Sequence, residues 1–548
     1  MSIAYQQAAR PKPTLGAGII GTTREDEEMP RTGSSSGQVN ETTTGIPGIR
    51  QAGRLTVYDL FRASVRAHPD NLAIEAGDRR ISLGALDRRV RRLANRLHHK
   101  GIGRGDRIAL LSENRPEFIE CMLAAAVLGA IVACQNWRLS TTELEHCVTL
   151  VTPKLAIVSP RFAPALAAIQ ADVTEVLEFG DAYEALIATG DEMLPDAVVD
   201  PEDGLLIIYT SGTTGMPKGA LISHRAEIAR MTVLRMDMRV TEEDAFVAWA
   251  PMFHMGSADQ VLGALMGGAP VIVVDGFDCR IIVDAIRDHK LGWLLLMPGT
   301  IEPVLDMVRA EGVVPRGIKA AGAMPDLVPK ALIAEFSRAL RAPYLNSFGS
   351  TETGLPPASR RLFPPGELPE SLSKQQSSLC EVRLLDLDGN EVPDGETGEI
   401  AIRGPTVFSG YWNAAATNAR DFGDGGFRMG DLFRRNSDGT YDFVDRAKYM
   451  IKSGGENIYP AEIERVLLAD TRITDAVIVR RKDEKWGEVP VAFVSTSDGT
   501  LTAHDVDQIC RRSLAGYKRP KEVHFISFDT FPRSTTGKIQ RHEVEKWL

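Results

Sequence analysis

Apolar residues recur along this chain with two periods, and the two periods alternate. From Leu55 onward the pattern is that of a globular protein. "TVYDLFRASVRAHPDN" places its apolar residues on one stripe and predicts an amphipathic helix stopped by Pro69. "LAIEAGDRRISLGALDRRVRRLANRLHHKGIGRGDRIALLSE" then reads as strand, turn, strand, helix, glycine-rich stop and strand. Short apolar runs such as "KLAIVS", "LLIIY", "PVIVVDG" and "LGWLLLMPG" predict buried strands. Between them lie helical patterns such as "DLVPKALIAEFSRALR". This alternation predicts an α/β fold with parallel sheets. The longest apolar run, "MLAAAVLGAIVAC" (Met122 to Cys134), is too short to cross a bilayer and predicts a buried helix leading into a strand.

The character changes after Cys380. "CEVRLLDLDGNEVPDGETGEIAIRG" predicts alternating strands joined by tight turns, an antiparallel or barrel-like segment. A final unit from about Ala447 to Leu548 carries its own strand–helix–strand pattern. It holds 17 Lys+Arg against 15 Asp+Glu, while the remainder holds 46 against 58. Opposite signs suggest two parts that meet across an anionic ligand. Three regions are therefore expected: an arm at 1–54, a large domain at 55–446 and a small domain at 447–548. The arm, with "RTGSSSGQVNETTTGIPG", is poor in large apolar residues and reads as disordered.

Composition narrows the class. A chain of 548 residues, 43% hydrophobic and 25% charged, exceeds one core and fits an ordinary globular protein. The net charge of −10 argues against general nucleic-acid binding. The six cysteines, Cys121, Cys134, Cys147, Cys279, Cys380 and Cys510, are scattered without a CxxC pair. That spacing argues against a disulfide frame or a cysteine metal site and for a reducing cytoplasm. No apolar signal segment is visible at the N-terminus.

The chemistry gathers in five stretches. "YTSGTTGMPKG" (Tyr209 to Gly219) follows an apolar strand, and "ALISHRAEIARM" after it has a helix-like pattern. Glycines let backbone N–H groups approach a phosphate, and Lys218 adds charge. Alone, the stretch admits either a phosphate cradle or a surface loop. "NSFGSTETG" (Asn346 to Gly354) follows the short strand "APYL". "GGFRMGDLFRR" places Asp431 after a glycine in an expected irregular segment. "DFVDRAKYMIKSGGENIYPAEIERVL" joins a charged turn, a glycine pair and a helix, and "PRSTTGKIQR" carries Lys538 on a Gly/Thr loop.

Together these stretches resemble the adenylate-forming superfamily of acyl-CoA synthetases, adenylation domains and luciferases. The similarity runs from about Leu55 to the C-terminus, and is strongest to fatty-acid and aromatic-acid CoA ligases. The resemblance implies a large N-terminal domain of two α/β subdomains plus a β-barrel-like subdomain, and a small mobile α+β C-terminal domain. It also implies ATP, Mg²⁺ and CoA. Thr210, Ser211, Gly212, Thr213, Thr214, Gly215 and Lys218 would hold the β- and γ-phosphates. Phe348 would lie against the adenine, with Ser347 and Gly349 also binding the nucleotide, Thr351 would touch the α-phosphate, and Glu352, with Thr210, would hold Mg²⁺. Asp431 would accept the ribose hydroxyls, with Arg446 beside it. Lys538 would bridge the substrate carboxylate and the α-phosphate, Lys448 would be the hinge, and Gly454 and Gly455 would line the CoA tunnel.

By the same resemblance, "WAPMFHMGS" brings Phe253, His254 and Gly256 to the acid, with Gly322 and Ala323 opposite. His254 is expected among the catalytic residues with Thr351, Glu352 and Lys538, or is simply a packed core histidine. Where amino-acid-activating relatives place an Asp for the substrate ammonium, this chain has His254. An apolar aromatic, alicyclic or medium-chain acid is therefore expected. Gly256, Gly322 and Ala323 are expected to leave room for it. CoA is the expected acceptor, with a carrier-protein pantetheine or a catalytically silent nucleotide-binding homologue as alternatives. A homodimer is left open. "RRK" (Arg480 to Lys482) is either a CoA phosphate contact or a solvated turn. The chain departs from the family pattern at Phe348, Met429 and Tyr449, in "AAGAMPDL" (Ala320 to Leu327), and in "SLSKQQSSLCEV", which contains Ser371 to Gln376.

Overall fold

Thr56 sets the start of the first helix. Its hydroxyl accepts from the Asp59 N–H at 3.3 Å, and the Asp59 carboxylate accepts from the Thr56 N–H at 2.9 Å. This reciprocal cap opens helix Val57–Ala67, which buries Val57, Tyr58, Phe61 and Val65 on one stripe. The computed structural model describes residues 52–210, 216–386, 388–423, 425–454, 456–497, 499–533 and 539–548. The expected arm at 1–54 thus lies almost wholly outside the described residues. Arg54–Leu548 form one compact unit.

Two mainly parallel α/β layers build the first part of this unit. One six-stranded sheet runs in the order Val176–Glu178, Leu155–Val158, Arg107–Leu111, Ile131–Cys134, Gly204–Thr210 and Lys218–Ser223. All its pairings are parallel except the last. A second sheet orders Arg79–Ser82, Leu72–Ala76, Val271–Val273 and Phe246–Ala248. A third orders Leu291–Leu294, Ile318–Ala321, Tyr344–Leu345 and Leu362–Phe363, and a single parallel bridge from Ala245 to Leu291 joins these two. Helix Pro116–Leu128 is buried at every position and leads into strand Ile131–Cys134, as its unbroken apolar run predicts. Each large apolar side chain there contributes about 1.5–3 kcal/mol relative to exposure.

One expectation fails at the glycine-rich loop. The residues after it do not enter a helix directly. Lys218–Ser223 form a strand that turns back antiparallel on Gly204–Thr210, with Thr210 opposite Lys218, and the helix His224–Met238 starts only afterwards. The helical pattern of "SHRAEIARM" had masked the shorter β pattern of "KGALIS". The two strands therefore pair as a hairpin, and Ser211, Gly212, Thr213, Thr214 and Gly215, which connect them in sequence, lie outside the described residues.

The stretch after Cys380 is an antiparallel meander of Glu381–Leu385, Thr397–Arg403, Phe427–Arg435 and Tyr441–Arg446. Beyond it a 3₁₀ turn, Ala447–Tyr449, contains Lys448. A mixed sheet follows, centred on Ile473–Asp483 and Gly487–Thr496 and covered by Pro460–Leu468 and Ala503–Ser513.

Arg541 ties this last region to the meander. Its Nη2 donates to both Glu464 oxygens at 2.7 Å, and its Nη1 lies 3.6 Å from the Asp445 carboxylate. Its guanidinium also lies 4.3 Å from the Tyr449 ring centre, and the Lys448 ammonium lies 4.7 Å from it. Burial pushes the Glu464 carboxyl up, and Arg541 opposes that shift. Arg541→Ala leaves Glu464 buried without its cation and is expected to cost about 3 kcal/mol. Limited proteolysis checks this: cleavage beyond residue 450 should appear earlier than in the parent chain.

Candidate active site

The loop hairpin meets a second segment that the motifs did not mark. Residues 409–412 run alongside strand Lys218–Ser223. Ser409 N–H donates to Leu221 O, Leu221 N–H to Gly410 O, and Trp412 N–H to Gly219 O, at 2.8, 3.0 and 2.8 Å. Gly219 is required there, since a Cβ would stand 2.8 Å from Ile207. This pairing puts the Lys218 ammonium 5.0 Å from the Tyr411 ring centre. The Tyr411 hydroxyl then donates to Glu352 Oε1 at 2.7 Å. Burial and the Glu352 charge raise the Tyr411 phenol well above its ordinary value, so it stays protonated and donates. Lys218 and Glu352, far apart in sequence, are thus connected through one tyrosine.

The main chain of Thr351 and Glu352 is held as firmly as the side chain. Phe408 N–H donates to Glu352 O at 2.8 Å, and Arg230 Nη2 donates to Thr351 O at 3.1 Å. Arg230 is itself anchored, with Nη1 on Asp259 Oδ2 at 3.0 Å and Nε on Thr406 O at 3.2 Å. Glu227 lies in the same buried cluster. Burial and the Asp259 charge push the Glu227 carboxyl well above the ordinary range; burial raises the Asp259 carboxyl too, and the Arg230 charge and hydrogen bond oppose that shift. Gly354 is part of this fit: at φ +75° it leaves room for Arg230, whose Cδ would stand 2.9 Å from a Cβ.

The expected nucleotide side also converges. Phe348 is half-buried, edge-to-face with Phe433 at 4.6 Å and tilted against Phe443 at 6.0 Å. Ser347 Oγ accepts from Met324 N–H at 3.0 Å, and the Phe348 N–H donates to Ser359 Oγ at 2.8 Å. Gly349 admits no side chain, since its Cβ would stand 2.0 Å from Gly354 O. Asp431 does not lie in an irregular segment as expected. It sits in the nine-residue strand Phe427–Arg435, just after the positive-φ Gly430. Glu399 makes that kink: its carboxylate accepts from Gly430 N–H at 3.0 Å and from Arg428 Nε at 2.9 Å, beside a break in register. The kinked strand sets Asp431 opposite Arg446, whose Nε lies 2.9 Å from Asp431 Oδ1. Asp431 is almost buried and Arg446 half-exposed, so the pair presents one edge outward.

The expected acyl side is lined by rings. Phe253 is in the core, 1% exposed, and backs the corner rather than facing open space. Its ring meets Trp137 edge-on at 5.8 Å and His254 at 4.6 Å, and Trp137 stacks on Phe162 at 5.2 Å. His254 precedes helix Met255–Met266 without capping it, and its Nε2 is buried with no hydrogen-bond partner among the described residues. Burial, with the Arg138 charge nearby, lowers its pKa to about 4, so the imidazole is neutral. At Gly256 a Cβ would meet only Leu295, at 3.4 Å, an ordinary contact. Gly322 does not leave the expected room. The Tyr344 ring fills the space, 2.2 Å from where a Cβ would stand, and the Tyr344 hydroxyl donates to Ala323 O at 2.8 Å.

At the expected CoA end, Gly454 has φ +59° and packs against the Trp486 ring, 2.6 Å from a would-be Cβ. Its N–H donates to Trp486 O at 2.8 Å. Arg480 is paired to Glu545 at 2.7 Å and Arg481 to Glu522, so the two arginines of the basic run are engaged within the chain. Lys538 and Gly455 lie outside the described residues. Sequence reasoning missed Tyr411, Arg230, Asp259 and Glu399. The Tyr411 signal is the run "GYW", a glycine and two aromatics in a segment without a helical or strand period.

The glycines permit a direct check. Gly322→Ala forces a Cβ into the Tyr344 ring at a positive φ and is expected to cost about 2–3 kcal/mol. Gly256→Ala should be near neutral in stability. Thermal unfolding of the two variants measures the contrast.

Comparisons with known proteins agree with this geometry. Residues 61–412 match the AMP-binding enzyme family, and residues 462–538 match the AMP-binding enzyme C-terminal domain. An indoleacetate–CoA ligase of Aromatoleum aromaticum is 36% identical, over 87% of this chain and 95% of that protein. A feruloyl-CoA synthase of an Amycolatopsis species is 31% identical, over 88% and 96%. The o-succinylbenzoate CoA synthetase of Bacillus subtilis, solved with its acyl-adenylate intermediate, superposes with a TM-score of 0.77. It is 25% identical and covers 90% of this chain and 98% of that one. Large and small domains in this order, five motifs in sequence and these relatives agree: the chain belongs to the AMP-binding enzyme family and is an AMP-forming acyl-CoA synthetase.

Proposed function

We propose that the acid this ligase activates is aromatic, a ring carried on a short carboxylate-bearing chain. The observation that carries this is the corner at helix Met255–Met266. There a side chain is absent at Gly256, Trp137 and Phe162 stack as an aromatic wall with the buried Phe253 ring edge-on to Trp137, and His254 is an uncharged hydrogen-bonding group. An apolar wall with one neutral polar group suits a flat ring and offers no partner to a substrate ammonium. The names of two relatives, an indoleacetate–CoA ligase and a feruloyl-CoA synthase, point to the same class.

The reaction has two steps. A carboxylate oxygen attacks the α-phosphorus of ATP and pyrophosphate leaves. The CoA thiol then attacks the acyl carbon of the adenylate and AMP leaves. No protein nucleophile is needed, so the side chains act by position and charge. In our reading Thr210, the 211–215 tip and Lys218 grip the departing pyrophosphate, and Lys538 carries positive charge to the attacking carboxylate. Asp431 and Arg446 offer one edge to the ribose. Glu352 and Thr210 would hold Mg²⁺, which neutralises phosphate charge when bound. The residues fit such an ion: one carboxylate, with the phosphates supplying further oxygens, is a common Mg²⁺ arrangement. Tyr411 keeps that carboxylate in one orientation. The boundary near residue 447, with Lys448 as hinge, would let the small domain withdraw Lys538 and bring the Gly454 turn to the thiol between the two steps. The six cysteines, none in a disulfide, favour a compartment where thiols stay reduced.

Acid-dependent exchange of pyrophosphate into ATP tests this reading. Indole-, phenyl- and cinnamic-type acids should support exchange at least about tenfold better, in kcat/KM, than straight-chain acids of equal carbon number. Lys538→Ala should lose exchange by about 10²-fold or more while still forming thioester from supplied acyl-adenylate. A straight-chain preference would overturn the substrate class. Equal loss in both half-reactions would overturn the Lys538 role.

A further inference from the structure

Lys374 is fully buried, and it comes from the run that replaces the usual glycine- and proline-rich link. Its ammonium donates to Asp326 Oδ2 at 2.6 Å and to Asn346 Oδ1 at 2.7 Å. Asp326 belongs to the other unusual run, "AAGAMPDL". Two stretches that depart from the family pattern thus meet in one ion pair. A fully buried ammonium is expensive unless it is paired and hydrogen-bonded. Burial holds this one below the ordinary lysine value, and Asp326 opposes that shift.

What the ammonium joins gives it a role. Asn346 directly precedes Ser347–Phe348–Gly349, and Asp326 lies in the 3₁₀ turn Pro325–Leu327, directly after Gly322–Ala323–Met324. Asn346 also donates from Nδ2 to Ser373 O at 2.9 Å, so it is gripped from both sides. Met324 between them has φ +49°, a left-handed conformation that costs a non-glycine residue energy and persists only where its surroundings impose it. Met324 N–H reaches Ser347 Oγ at 3.0 Å, which links the two loops directly. Behind them the Lys374 main chain exchanges two hydrogen bonds with Tyr441, at 2.7 and 2.9 Å, and Ser373 Oγ donates to Asp442 at 2.6 Å. Lys374 therefore anchors on the last strand of the meander, which ends in Arg446, and reaches through to both loops.

We propose that Lys374 is a positioning residue for the nucleotide, fixing the Met324 turn and the Ser347–Gly349 loop in one relative arrangement. This rests on the placement of the adenine against Phe348 given above. Lys374 acts through Asn346 and Asp326. The Asp326 side chain is 42% exposed, so losing its partner leaves a carboxylate that water can solvate. Losing Lys374 instead leaves Asn346 Oδ1 without its buried donor.

Steady-state kinetics with an aromatic acid, together with thermal unfolding, test this. Lys374→Met should raise KM for ATP about tenfold, with kcat within about threefold and KM for acid and CoA within about twofold. Asp326→Asn should raise KM for ATP about threefold, and the double variant should match Lys374→Met, since both changes break one link. Phe348→Ala separates this inference from the reading beneath it. If Phe348→Ala raises KM for ATP and the Lys374 and Asp326 variants do not, the positioning role is wrong. If none of the three moves it, the adenine placement is wrong as well. Equal rises in all three KM values with a lowered melting temperature would make Lys374 a general structural residue and overturn the proposal. Should Lys374→Met not fold, Asp326→Asn decides on the same criteria.

Discussion

A buried guanidinium holds the centre of this site. Arg230, on helix His224–Met238, extends its donors to Asp259 on helix Met255–Met266, to Thr406 O and to Thr351 O. Such a cation is tolerated in a core only with a buried anion and with its donors used. Asp259 is that partner, and burial together with the Asp259 charge pushes the neighbouring Glu227 carboxyl well up, toward its neutral form. The packing of two helices is thereby converted into the position of one peptide carbonyl, beside the carboxylate of Glu352. Tyr411 completes the hold from the opposite side and carries it to Lys218 on the loop hairpin. Three elements distant in sequence fix one short turn.

The same economy appears around the rest of the site. Glu399 kinks a strand so that Asp431 faces Arg446, and Lys374 ties two loops to the meander. In each case a charged side chain grips main chain or a neighbouring loop, and the groups proposed to meet substrate stand one residue further on. Rigid placement of this kind suits a reaction with no protein nucleophile, in which catalysis is position and charge. The Ala447–Tyr449 turn, with Arg541 over the Tyr449 ring and on Glu464 and Asp445, lies where the meander ends and the last region begins.

Much of the fold was legible in the sequence because apolar periodicity records burial. The capped helix at Val57, the fully buried helix at Pro116 and the parallel strands all follow from it. The strand Lys218–Ser223 was not legible, because its six residues run into a longer helical pattern. Asp431 reads as loop because a glycine-kinked strand has the local composition of one. A glycine at 322 reads as space in the sequence, and only the three-dimensional fit shows the Tyr344 ring inside it. Glu227, Arg230 and Asp259 were invisible for a different reason: charged residues on a helix read as a solvated face, and their burial depends on partners brought from elsewhere in the chain. Motifs therefore located the residues proposed to touch ATP, and only the structure located the residues that hold them.

The central claim is that this arrangement activates a carboxylate by joining its oxygen to the α-phosphorus of ATP. Isotope transfer tests that claim most directly. With an aromatic acid labelled with oxygen-18 in both carboxylate oxygens, turnover with ATP and CoA should yield AMP carrying one labelled oxygen and unlabelled pyrophosphate. Mass spectrometry of the products reads both. Unlabelled AMP, or label in an ADP or phosphate product, would contradict the account.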